Sequence, residues 1–264
     1  MTLRFGKVCK SNDPFEAKNF YVNLPYIDIK KSIIEEKRIQ NELFTYLNNI
    51  LQFICFSEGK IMNIFGDIED DGKEIDIDDD IIDNAKLTDF SSRPPYYFPR
   101  MWAQYSKNQE GVCFIFKKTQ IIEQIKKQVE NEYHIKHKKI VYKDLMKEDL
   151  LLHQAVTQSY SYYDIKFEPK DFIQKYLNCD YKINYFYKDV NWRDEKEYRF
   201  LIWNKIENDN YENKIINIDN ISLIGIVFGL NNKDKELKNF AHAKKIKNIF
   251  QLMFDGALFY VYKI

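Results

Sequence analysis

The apolar positions along this chain change period repeatedly. Thr2 to Val8 reads as a strand. SNDPFE, Ser11 to Glu16, ends it, because Asn and Asp side chains bond their own backbone and Pro14 fixes φ. Ser32 then opens a helix with Glu35 completing a capping box, and Ile33, Ile34, Leu43, Leu47 and Ile50 form its apolar stripe. QFICFS, Gln52 to Ser57, reads as a buried strand. MWAQYSKN supplies one or two helical turns, and GVCFIFK, Gly111 to Lys117, a further strand. Thr119 to Tyr133 is predicted helical, with Ile121, Ile122, Ile125 and Val129 on one face.

The second half continues with a short strand over Lys138 to Tyr142 and helices near Glu148 to Tyr160 and Pro169 to Asn178. YKINYFYKDV reads as extended. Strands follow at Glu197 to Trp203, Ile215 to Ile218 and Ile221 to Phe228. Asn232 to Phe250 is predicted as a helix and ALFYVYK as a closing strand. Strands lie at both ends with helices between and no regular alternation, so the expected class is α+β rather than doubly wound. Between Lys60 and Arg100 a dense acidic run and SSRPPYYFPR mark a loop-rich insertion on one domain spanning residues 1–264.

Composition sharpens this picture in two ways. Hydrophobic residues at 45% and aromatics at 16% supply a packed core. Lys plus Arg equals Asp plus Glu at 40 each, so no global field gathers nucleic acid or anionic lipid. The abundance of Lys, Asn and Ile is the mark of an AT-rich genome, which weakens any reading of a lysine cluster as a patch. The longest strongly apolar run, Leu223 to Leu230, is far too short to span a bilayer, and MTLRFGKVCK has no apolar signal region. Cys9, Cys55, Cys113 and Cys179 show no C-x-x-C spacing. Cys55 and Cys113 read as small core residues of a reduced protein. A soluble, cytoplasmic protein with no membrane partner is expected.

Candidate chemistry is sparse. In NWRDEKEYRFLIW, Glu195, Glu197 and Arg199 share one face if extension begins at Glu195, while Tyr198, Phe200 and Ile202 take the other. Two carboxylates beside a guanidinium are the makings of a base or an electrostatic stabiliser, and equally of a solvated strand start. Asp67, Glu69, Asp71, Gly72 and Asp78 fit a calcium loop only in part, since the third and twelfth ligands are wrong and Glu74 replaces an apolar residue. A solvated loop, or one that covers a basic site, is the expectation there. His134 and His137 lack the partners zinc needs and read as a solvated helix end; no metal site is expected. The lysines of 233–247 share a helix with Leu237, Phe240, Ile246 and Phe250, and read as its solvent face. No phosphate-binding glycine loop is present in the sequence.

Four pieces in order carry a family resemblance: LRFGKVCKSNDPFE, ICFSEG, MWAQYSKNQEGVCFIF and WRDEKEYRF. Together they resemble domain-of-unknown-function family twenty-nine seventy-one, a bacterial and phage group, across essentially the whole chain. More distantly, the order of pieces is similar to the ADP-ribosyltransferase fold, above all DarT-type toxins. PPYYFPRMWAQY matches that group's aromatic segment, and EYRFLIW its late strand headed by a glutamate.

That likeness implies a central split, mostly antiparallel sheet flanked by helices, and NAD as cofactor. It implies Glu197 as the catalytic carboxylate with Glu195 assisting. Tyr97, Trp102 and Tyr105 would stack the nicotinamide, Arg100 or Arg4 would meet the pyrophosphate, and Arg199 would lie beside the carboxylates. The expected function is NAD-dependent transfer onto a nucleic acid or protein in phage defence or toxicity. The alternatives are a non-catalytic regulatory module and a metal-dependent hydrolase or nuclease built on the acidic insertion. The resemblance also implies a strand upstream of LRFGKV that anchors NAD; a chain starting at Met1 lacks it and is expected to fold poorly, to dimerise over the exposed sheet edge, or to be catalytically dead.

Overall fold

A computed structural model describes residues 1–7, 37–38, 41–43, 45–47, 49–58, 95–144, 177, 184–205, 212–256 and 259–264. The predicted start of the first helix, the acidic run with its calcium-like loop, and nearly all of the helices predicted between 148 and 178 lie outside these residues. Leu43, Leu47 and Ile50 are helical and buried, as the stripe requires.

The predicted first strand divides in two around buried Phe5: β1 (Thr2–Arg4) and β2 (Gly6–Lys7). β3 (Gln52–Ser57) follows. Pro95–Tyr97 makes a 3-10 turn, and Pro99 opens helix α1 (Pro99–Tyr105), where its missing N–H costs nothing. Then come β4 (Val112–Phe116), α2 (Lys118–Val129), β5 (Tyr133–Lys139) and β6 (Val141–Lys143). After a 3-10 turn at Asn184–Phe186 lie β7 (Tyr187–Asp189), a 3-10 helix (Val190–Glu195) and β8 (Glu197–Asn204). β9 (Ile215–Asn217), β10 (Leu223–Phe228), α3 (Lys235–Ala243), β11 (Asn248–Phe254) and β12 (Phe259–Lys263) complete the order.

These strands form two four-stranded sheets, β2-β3-β8-β5 and β12-β11-β10-β4, with the pairs β1-β9 and β6-β7 beside them. Pairing is antiparallel except for β10-β11 and β6-β7. The class is therefore α+β, as the pattern of elements predicts. α2 lays Ile121, Ile125 and Val129 onto Phe200 and Ile202 of β8, with Phe5, Ile216 and Ile218 closing the cluster. Each such aliphatic side chain contributes about 1.5–3 kcal/mol by leaving water. Phe56 of β3 meets Phe116 of β4 edge-on at 6.0 Å, which joins the two sheets.

Three sequence expectations are corrected. The helix predicted to Tyr133 ends at Val129, and Tyr133–Lys139 pairs with β8. His134 and His137 are thus strand residues, stacked on Trp203 and Phe200, rather than a solvated helix end. The helix predicted to Phe250 ends at Ala243. Lys245 turns left-handed at φ 55°, and Asn248–Phe254 becomes β11. β11 runs parallel to β10, so the chain needs a helical return between them and α3 fills it. Finally, within the stretch predicted as extended, Asn184–Phe186 form a 3-10 turn before β7, and residues 181–183 lie outside the described ones.

Candidate functional site

A cleft of about 500 Å³ opens between the two sheets. Its floor is the β3–β8 face that carries Phe53, Cys55 and Ser57 alongside Glu197 and Arg199. Register explains this set: Ser57 pairs with Glu197, Cys55 with Arg199 and Phe53 with Leu201, and directly opposed residues share a face. The opposite wall comes from Pro95, Tyr96 and α1, with Met101, Trp102, Tyr105 and Ser106 joined by Val112 and Cys113 of β4.

The two carboxylates arrive by a route that strand alternation does not describe. Asp189 caps the 3-10 helix by accepting from Asn191 N at 2.9 Å. That helix ends at Glu195. Lys196 then takes a left-handed conformation, φ 46°, and Glu197 starts β8. The turn brings Glu195 beside Glu197 although neither helix nor strand spans both. The expectation that they share one extended face is corrected in its geometry, while their convergence holds.

The resulting cluster is closed. Glu195, Glu197, Arg199 and Lys188 are 3%, 5%, 2% and 5% exposed, which leaves almost no water to screen them. Lys188 Nζ donates to Glu195 Oε2 at 2.6 Å and to Glu197 Oε2 at 3.3 Å. Arg199 Nε donates to Glu197 Oε1 at 2.6 Å, and its NH1 to Tyr185 O at 2.7 Å. The Tyr105 hydroxyl donates to Glu195 Oε1 at 2.7 Å. The Glu197 amide donates to the Tyr142 hydroxyl at 2.8 Å.

Burial pushes the Glu197 pKa upward, but Arg199, Lys188 and the Cys55 thiol outweigh it and hold the carboxyl below its ordinary value. Glu197 is therefore an ionised carboxylate at neutral pH. Burial and the bond to Glu195 push the Tyr105 phenol up, so it stays a donor. Burial and neighbouring charge, against the amide bond, take Tyr142 to about 12.

Of the residues expected at a site, Glu195, Glu197, Trp102, Tyr105 and Arg199 line this cleft. Tyr97 instead packs into the core with Trp102, Val227, Leu252 and Val261. Arg100 lies outside the lining, donating to Asn191 O at 2.6 Å with its guanidinium 4.7 Å from the Trp192 ring centre. Arg4 sits on β1, which pairs with β9. Lys188 had no signal in the sequence, being one lysine among many. Its place in β7, nine residues before Glu197, is set by the 3-10 helix between them.

Cys55, expected in the core, is exposed on the cleft floor, because its β8 partner is Arg199 and the shared face is the open one. Cys113 is half-buried in the wall, and burial pushes its thiol up to about 11.

Fold and cleft together define an α+β protein with a carboxylate-bearing cavity between two sheets. The family described as protein of unknown function (DUF2971) matches residues 101–200, which run from within α1 to Phe200 of β8 and include Tyr105, Lys188, Glu195, Glu197 and Arg199 of the cleft. This is the family that the sequence motifs resemble. No curated protein and no solved structure matches the chain. Among the described residues, no helix is long and apolar enough to cross a membrane.

Proposed function

We propose that the cleft is the active site of an NAD-dependent ADP-ribosyltransferase-like enzyme that acts on a macromolecule. The observation that carries the reading is Glu197, a buried but ionised carboxylate on the wall of a cavity between two sheets. NAD supplies a ribosyl group whose bond to nicotinamide breaks heterolytically, leaving positive charge on the ribose. A fixed carboxylate stabilises such charge without reorganising, most strongly where water is excluded. Arg199 and Lys188 keep Glu197 ionised and immobile. Trp102, Tyr96 and Phe53 offer flat surfaces for the heteroaromatic ring. Glu195, oriented by Tyr105 and Lys188, accepts from a ribose or acceptor hydroxyl.

The test is nicotinamide release from NAD. Glu197→Gln is expected to lower it by about 10²–10³ while the fold persists, since fixed electrostatic groups contribute on that scale. Release undiminished in that variant, with native circular dichroism, would falsify the assignment.

A second reading has one observation in its favour: all four carboxylate oxygens of Glu195 and Glu197 already hold a cation or a phenol. A module that binds a nucleotide without turning it over would be built this way too. NAD binding by thermal shift, with no nicotinamide released over hours, supports the module and rejects the enzyme. Release that survives EDTA excludes a metal-dependent reaction on the acidic insertion.

A further inference from the structure

β12 is the outer strand of the β12-β11-β10-β4 sheet, and it turns two aromatic side chains toward water. Tyr260 and Tyr262 are 38% and 62% exposed, and Met253, opposite Tyr260 in β11, is exposed beside them. Phe259 and Val261 alternate to the other face, where they pack with Tyr97 and Trp102. The backbone groups divide in the same way. The Ile264 amide donates to Ile249 O at 2.9 Å, so the N–H and C=O of Ile264, Tyr262 and Tyr260 face β11. Those of Phe259, Val261 and Lys263 face away from the sheet, and among the described residues no strand pairs with them.

Sheet edges are usually blunted by lysines, proline or a bulge. β12 carries one lysine, at its end, and the Tyr-Val-Tyr before it reads the same in both directions. An antiparallel twofold through Val261 therefore sets Tyr260 against Tyr262 of a second copy, Val261 against its own counterpart, and Phe259 against Lys263. In that register the outward groups of Phe259, Val261 and Lys263 meet one another, which is the hydrogen-bonded form of the pairing. Opposed tyrosines attract across strands, and an ammonium is favoured over an aromatic ring. Parallel pairing would instead lay one lysine beside the other. The self-matching of side chains and charge selects a second copy over a foreign strand.

We infer that β12 is a homodimer interface, in which two copies pair antiparallel over Phe259–Lys263 about a twofold axis at Val261 and join their four-stranded sheets edge to edge. Both copies use the same strand, so the contact closes at two and does not propagate. The edge involved is that of β12, at the opposite end of the chain from LRFGKV. Five residues a side make a small contact, so the dimer is weak and dissociates on dilution. The interface lies outside the cleft and stands whichever reading of the cleft holds.

Sedimentation equilibrium of the full chain tests this. Monomer is expected at about 1 μM and dimer at about 100 μM. Tyr260→Lys combined with Tyr262→Lys sets ammonium against ammonium in two places and is expected to raise the dissociation constant at least about tenfold. Tyr260→Glu combined with Tyr262→Lys sets opposite charges in the same two places and is expected to dimerise within about threefold of the parent. Both tyrosines are exposed, so native circular dichroism is expected of each variant.

Amide exchange on the unaltered chain gives a second measurement that needs no variant. The Val261 and Lys263 amides are expected to exchange more slowly in concentrated than in dilute protein, while the Tyr262 amide, already bonded to β11, is protected in both. A parent that stays monomeric at about 100 μM, or assemblies that grow past two, overturn the inference. So does a double-lysine variant that dimerises like the parent, an opposite-charge variant that stays monomeric, or exchange at Val261 that ignores concentration.

Discussion

Glu197 is where charge, burial and position meet. Its carboxyl titrates below its ordinary value of 4.5, so the folded state binds that proton less readily than the unfolded chain does. A group lowered in this way contributes stability that is complete above the unfolded pKa and is lost as pH falls through the folded one. Glu197→Gln keeps an oxygen for Arg199 but has nothing to titrate. Its melting temperature is expected to lie below the parent's at pH 7, with the gap closing as pH drops below about 4.5. A gap that stays constant from pH 7 to 3 would remove the ion pair from the account. Lys188→Met goes further, because it takes from buried Glu195 its cation and leaves Glu197 with Arg199 alone. A loss of about 3–5 kcal/mol in denaturant unfolding is expected, the scale for breaking a buried pair from one side. These residues were partly legible: E-x-E before an aromatic run flagged the carboxylates, while nothing marked Lys188.

At the scale of elements, the turn at Lys196 decides whether Glu195 and Glu197 meet. A left-handed non-glycine residue costs roughly 1–2 kcal/mol, and a β-branched one suffers most. Lys196→Val is expected to destabilise by about that amount and to lower nicotinamide release further, because the carboxylates separate. Lys196→Gly is expected to hold stability within about 1 kcal/mol. Release equal to the parent's in the valine variant would show that the turn does not position the site.

A second tight contact backs the α1 wall. Lys107, Asn108 and Gln109 all have positive φ, and a Cβ added at Gly229 would lie 2.2 Å from Gln109 O. Gly229→Ala is expected to cost about 1–3 kcal/mol by overpacking, read as a shifted denaturant midpoint with unchanged slope. No local pattern announces these contacts. Element type was legible in long periodic stretches such as α2 and in the strand runs, whereas the ends of α2 and α3 were misplaced. Their apolar residues continue without a break into the next strand, and pairing with β8 or β10 overrides the helical period.

On the scale of the whole molecule, the cleft exists because two sheets meet along Phe56–Phe116 and diverge beyond it. A ligand lodged there touches both, so it should tighten the joint. Ligand at a hundredfold over its dissociation constant is expected to add about 2.7 kcal/mol to unfolding, and to lower stability instead if it binds only the unfolded chain. Phe56→Ala removes the T-shaped contacts with Phe116 and Phe200. A cost of about 3–5 kcal/mol is expected, together with weaker ligand protection than the stability loss alone would cause.

The amino-acid order alone settled the α+β class, the strand that carries Glu197 and the apolar face of α2, because each is written in local period or in contiguous motif. Only the tertiary structure decided that Cys55 lines a cavity, that Lys188 bridges two carboxylates, that Arg100 lies over the Trp192 ring, and that His134 and His137 belong to a sheet. Those facts depend on which strand lies beside which. Pairing register and sheet packing are set by contacts between residues far apart in the chain, which no short window of sequence contains.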